Sequence, residues 1–109
     1  MKTKSRVAAA LLAVCFASGA ALAAAADETV ILKGVQFVSQ AKISLETARA
    51  TALKARPGII TDEELEKEKG GSGLRYSFDI KSDSKTYEVG VDARTGAILE
   101  NALEGKNPD

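Results

Sequence analysis

Asp92-Ala93-Arg94-Thr95-Gly96 separates two alternating apolar segments, residues 86–92 and 97–103. Asp opens a turn because its carboxylate can accept bonds from backbone N–H groups just ahead of it. Gly closes it because it takes a positive φ without a Cβ clash. The chain must reverse here, and its flanks must pair as antiparallel strands. Upstream, Leu74, Tyr76, Phe78 and Ile80 alternate with Arg75, Ser77, Asp79 and Lys81, the period of a strand with one buried face. Ser82-Asp83-Ser84 reads as the next turn. Tyr87, Val89 and Val91 then carry the alternation through residues 85–92, with Thr86, Glu88 and Asp92 outward.

One segment has the helical period. In residues 44–56, Leu45, Ala48, Ala52 and Ala55 mark one side, and Ser44 can cap the first turn. Glu46 suits the positive end of the helix dipole, and Lys54 and Arg56 the negative end. Arg49, Lys54 and Arg56 are expected on the solvent face. Pro57-Gly58 stops the helix, since Pro cannot continue the hydrogen-bond ladder. Residues 59–69 satisfy a capping-box pattern at Thr61-Asp62-Glu63-Glu64, but after Ile60 only Leu65 is apolar, so a helix there would bury nothing. The spacing predicts a charged edge strand instead, with Ile59, Thr61 and Leu65 on one face and Gly70-Gly71-Ser72-Gly73 as the following hairpin loop. Ile31, Val35 and Val38 recur at helical spacing, which predicts a short helix within residues 28–42. The expected architecture is α+β: one helix, with a short helix before it, covering a four-stranded antiparallel meander.

The first 26 residues do not belong to that unit. Lys2, Lys4 and Arg6 precede a short apolar run, and small residues lead to Ala24-Ala25-Ala26. This is the layout of a secretory signal peptide, with cleavage after Ala26 or, alternatively, after Ala23. The run is too short for a spanning helix, so no stable membrane insertion is expected after processing. Val14 before Cys15 does not fit a lipoprotein signal, and processing removes the cysteine. Residues 27–41 form an N-terminal segment, 42–104 the domain and 105–109 a polar tail. The processed chain carries 12 Lys+Arg against 15 Asp+Glu, a net charge of −3. That balance argues against nucleic acid as a partner.

Ile43-Ser44-Leu45-Glu46-Thr47-Ala48 opens the helix, Pro57-Gly58 closes it, and an alternating hairpin ends in Val91-Asp92-Ala93-Arg94-Thr95-Gly96-Ala97-Ile98-Leu99. In that order, behind a signal peptide, these pieces resemble a PepSY domain over residues 42–104. The strand after Pro57-Gly58 departs from the family pattern in holding more Glu and fewer Val and Ile. The resemblance implies a fold similar to half of the β-lactamase inhibitor protein, one helix packed on an antiparallel sheet. It also implies a periplasmic or secreted module that regulates or inhibits peptidases, with no catalytic residues to carry over.

The residues themselves agree with a binding role. There is no His, and no Cys after processing, which removes Ser-His-Asp and Cys-His machinery and the usual zinc sets. The Glu63–Glu68 acids read as a solvated edge rather than an acid–base pair. Asp83 and Asp92 read as turn residues rather than calcium ligands, since each turn offers one carboxylate. Tyr76, Phe78 and Tyr87 read as core. No catalytic residue, metal site or cofactor is predicted. The turn and cap residues Ser44, Pro57, Gly58, Asp92 and Gly96 carry the fold. The expected partner is a protein, a peptidase or another envelope protein. The alternative is a domain that self-associates as a homodimer to complete a larger sheet.

Overall fold

The alternation that dominates residues 74–92 becomes the centre of the sheet. In the computed structural model, which describes residues 30–105, the elements are β1 (Leu32–Lys33), a 3-10 helix (Val35–Gln40), α1 (Leu45–Ala55), β2 (Ile59–Lys67), β3 (Leu74–Ser82), β4 (Lys85–Asp92) and β5 (Ile98–Leu103). The sheet order is β1-β2-β3-β4-β5. β2 to β5 form the antiparallel meander, and β1 adds a fifth strand, parallel to β2, through Leu32↔Glu63 and Lys33↔Glu64. The sheet is therefore five-stranded and mixed, not four-stranded and antiparallel.

The segment expected as a short helix divides into β1 and the 3-10 helix. Ile31, Val35 and Val38, its expected inner face, are exposed. Leu32 and Phe37 pack against the core instead. Gly34 sets this arrangement. Its φ is +84°, and a Cβ there would run into the Leu65 carbonyl oxygen. A helix could not pass so close to β2, whereas a glycine turn can.

Ser44 Oγ accepts a bond from the Thr47 N–H at 3.1 Å, and α1 ends one residue before Arg56, whose N–H donates to the Ala52 carbonyl. Ala48 and Ala52 are fully buried, so the small residues let α1 lie close to the sheet. Facing them are Ile60, Leu65, Phe78, Ile80, Val89 and Val91, all fully buried. Each such large side chain contributes about 1.5–3 kcal/mol relative to exposure. Tyr76 also sits in the core, and its hydroxyl donates to the Ile43 carbonyl at 2.7 Å. Tyr87 is only half-buried, with the Arg56 guanidinium 3.8 Å above its ring.

β2 departs from its expected facing. Ile60 pairs with Ile80, but Asp62 pairs with Asp79, so Thr61 is an extra residue in a bulge. The bulge reverses the parity: Ile60, Glu63 and Leu65 point inward, while Ile59 and Thr61 are exposed. Nor is β2 a simple edge strand, because β1 covers it at Glu63 and Glu64.

Candidate interaction surface

At one end of the molecule Asp92 gathers three segments. Its Oδ1 accepts from the Arg94 N–H at 2.8 Å, the Thr95 N–H at 3.1 Å and the Ser72 hydroxyl at 2.7 Å, and its Oδ2 accepts from the Ser72 N–H at 2.6 Å. Burial works against the charge, yet the bonds from Arg94, Ser72 and Thr95 outweigh it and hold the carboxyl down at about 2. Arg94 extends the tie, donating from Nη1 to the Ser72 carbonyl and from Nε to the Gln40 carbonyl. The Ala93 carbonyl accepts from the N–H groups of both Lys42 and Ile43. Gly96 closes the turn at φ +81°, its N–H donating to the Asp92 carbonyl. All of Asp92's acceptor capacity goes to the fold, and none is left directed at solvent or a ligand.

The acidic run of β2 splits between the two faces of the sheet. Glu63 is buried under α1, where Arg49 donates from Nε at 2.7 Å and from Nη2 at 2.8 Å. Arg49 is thus not a solvent-face residue, and Glu63 is not a solvated one. The bond to Glu63 raises the Arg49 guanidinium above its ordinary value. A planar guanidinium matches a carboxylate in this two-bond geometry, which makes a buried pair tolerable. Sequence reading missed this pair, because its partners lie 14 residues apart on different elements.

The outward face of the sheet is acidic. Asp62 lies opposite Asp79, and Asp79 opposite Glu88. Burial, followed by the charges of Glu100, Asp79, Glu104 and Glu66, pushes the Glu88 carboxyl up to about 7. Asp79 is also raised, chiefly by burial. Carboxylate oxygens of Asp79, Glu88 and Glu104 lie within 4.8 Å of one another. Arg75 crosses this face, donating to the Lys69 carbonyl at 2.9 Å and to Glu100 at 3.5 Å.

The remaining feature is the apolar rim. Ile31 is 77% exposed and Ile59 57%, which are high values for side chains of this size. They flank a notch of about 430 Å³ lined also by Val30, Lys33, Ile60, Thr61 and Asp62. The notch exists because β1 pairs with β2 at two positions only, leaving the start of β2 without a strand neighbour among the described residues. Val38 borders a second groove of about 390 Å³ between the 3-10 helix and the start of α1. On the opposite side, the outer edge of β5 has no strand neighbour among the described residues, and Ile98 and Leu103 are exposed.

Of the residues predicted from sequence, Ser44, Pro57 and Gly58 stand at the two ends of α1, and Asp92 and Gly96 at the hub. Only the last two are brought together. Ala23 and Ala26 lie outside the described residues. Among the described residues, no helix is long and apolar enough to cross a membrane. No curated protein and no solved structure matches the chain. The PepSY family, peptidase propeptide and YPEB domain, matches residues 42–101. Those residues take in α1, β2, β3, β4 and most of β5, more than half of the chain. Domains of this family are generally non-catalytic propeptide or regulatory modules. The chain belongs to the PepSY family.

Proposed function

We propose that this domain acts outside the cytoplasm as a binding module that regulates or inhibits a peptidase or another envelope protein, in the periplasm or after secretion. Family membership supports a peptidase-propeptide-like role. The observation that carries the mode of binding is the sheet edge at the start of β2, open beside a notch lined by Ile31 and Ile59. An extended segment of a partner can add there as a strand: its backbone supplies hydrogen bonds and its apolar side chains enter the notch. Incubating the processed chain with the producing cell's exported peptidases should lower at least one activity, and Ile59→Asp should weaken the effect. Unchanged activity throughout, with no protein recovered on the immobilised domain from envelope extract, would overturn this reading.

A second reading rests on the outer edge of β5. Two copies joined antiparallel through that edge would complete a ten-stranded sheet and cover Ile98 and Leu103. A sedimentation coefficient that stays at the monomer value at every concentration would exclude it.

A further inference from the structure

In the sheet β5 pairs with β4 only, and side chains tie its middle elsewhere: Asn101 to the Ala55 carbonyl on α1 and to Arg56, and Glu100 to Arg75. Beyond its last residue, the Glu104 N–H donates to the Thr86 carbonyl at 2.8 Å and fastens the end of the strand. The side chain of the same residue works against that fastening. Its carboxylate shares a space less than 4.8 Å across with those of Asp79 and Glu88. The register dictates this crowding: Asp79 stands directly opposite Glu88, and Glu88 opposite Ala102, two residues before Glu104. Like charges directly opposite on neighbouring strands are destabilising.

Among the described residues one cation reaches the trio: Lys33 draws the Asp79 carboxyl down, but burial, Glu104 and Asp62 outweigh it and leave Asp79 raised. Lys33 is engaged by Asp62 at 3.1 Å, and Arg75 by Glu100 and the Lys69 carbonyl. Lys81 shares the face opposite Thr86 but makes no ion pair among the described residues. The other charged groups facing Glu88 are Glu66 on β2 and Glu100 on β5, both acids. No cation is among the groups that act on Glu88 itself, so a proton is the species that remains to neutralise that carboxyl.

We propose that one proton, carried on Glu88 between Asp79 and Glu104, fastens the end of β5, so that residues 102–104 lift from β4 when that proton leaves. The consequence is a pH-gated edge. With the strand end lifted, the Thr86–Glu88 stretch of β4 loses its neighbour and can accept another strand. The sign follows from the two states. In the closed state burial and the surrounding acids hold the Glu88 carboxyl up at about 7. In the lifted state water reaches it and it returns toward the ordinary carboxyl value of 4.5. The closed form therefore binds the proton more tightly, and closure is lost as pH rises through the upper value.

Amide hydrogen exchange of the processed chain tests this, read as protection relative to the intrinsic rate. Between pH 5.5 and 8.5 the protection of the Glu104 N–H should fall roughly tenfold, while amides at the centre of β3 hold constant. Glu88→Gln should keep Glu104 protected at both pH values, and Glu104→Gln should shrink the pH effect. Equal protection of Glu104 at both pH values in the unaltered chain would overturn the proposal. So would a pH effect that survives in both variants. Site-resolved titration of the Glu88 carboxyl should show a midpoint near neutrality, and a midpoint in the ordinary carboxylate range would also overturn it.

Discussion

Asp92 is one carboxylate with four hydrogen bonds, and its removal should be felt across a whole end of the domain. Asp92→Asn replaces an acceptor-only group with one that presents two donors to the Ser72, Arg94 and Thr95 N–H groups. We expect a loss of about 2 kcal/mol at pH 7, the free energy of holding a buried carboxyl that far below its usual range. Urea denaturation at pH 7 measures it. In the unaltered chain this contribution is present above the unfolded carboxyl value of 3.8 and is lost as pH falls toward about 2. Gly96→Val should also destabilise, by about 1–2 kcal/mol, because φ +81° is costly for a β-branched residue. An unaltered melting temperature would contradict that. Sequence exposes half of Asp92's role. Its bonds to Arg94 and Thr95 are local, and the Asp-to-Gly turn pattern announces them. Its bonds to Ser72 cross 20 residues of sequence and follow from strand register, which no local pattern encodes.

β3 and β4 were legible as strands because their inward positions from Leu74 to Ile80 and from Tyr87 to Val91 are apolar and their turns fall where Gly, Ser or Asp stands, but Arg75 and Asp92, expected outward, are both buried. β2 was legible as a strand but not in its facing. One extra residue at Thr61 reverses the parity, and the inward position it creates holds Glu63 where an apolar residue would be looked for. Residues 28–42 misled for the opposite reason: the helical spacing of Ile31, Val35 and Val38 is real, but those side chains face solvent. The Arg49–Glu63 pair then joins α1 to β2 more firmly than the alanine face alone. Arg49→Ala leaves a buried, unpaired carboxylate and should cost about 3 kcal/mol. Arg49→Met combined with Glu63→Leu removes both charges and should recover most of that loss. A double-mutant cycle by chemical denaturation checks both values.

Over the whole domain two carboxylates pull stability in opposite directions along the pH axis. Glu88 favours the folded state below its unfolded value of 4.5, and that contribution is lost as pH rises through about 7. Asp92 acts only at the acid end. The melting temperature should therefore be highest in mildly acidic buffer and decline toward alkaline pH, with Glu88→Gln flattening the decline. A scan of melting temperature against pH decides it.

β1 takes on another meaning once the edge is considered as a place where strands compete. It is a two-residue strand on a glycine joint, already seated on β2 at Glu63 and Glu64. Because it is tethered, its effective concentration at that seat is on the order of millimolar. A partner strand that extends past Asp62 would have to displace a bound competitor, whereas one that stops short would meet no paired strand among the described residues. For a partner that docks as proposed above, β1 would set a length filter: a longer segment would need enough contact to evict the chain's own strand, and a shorter one would not.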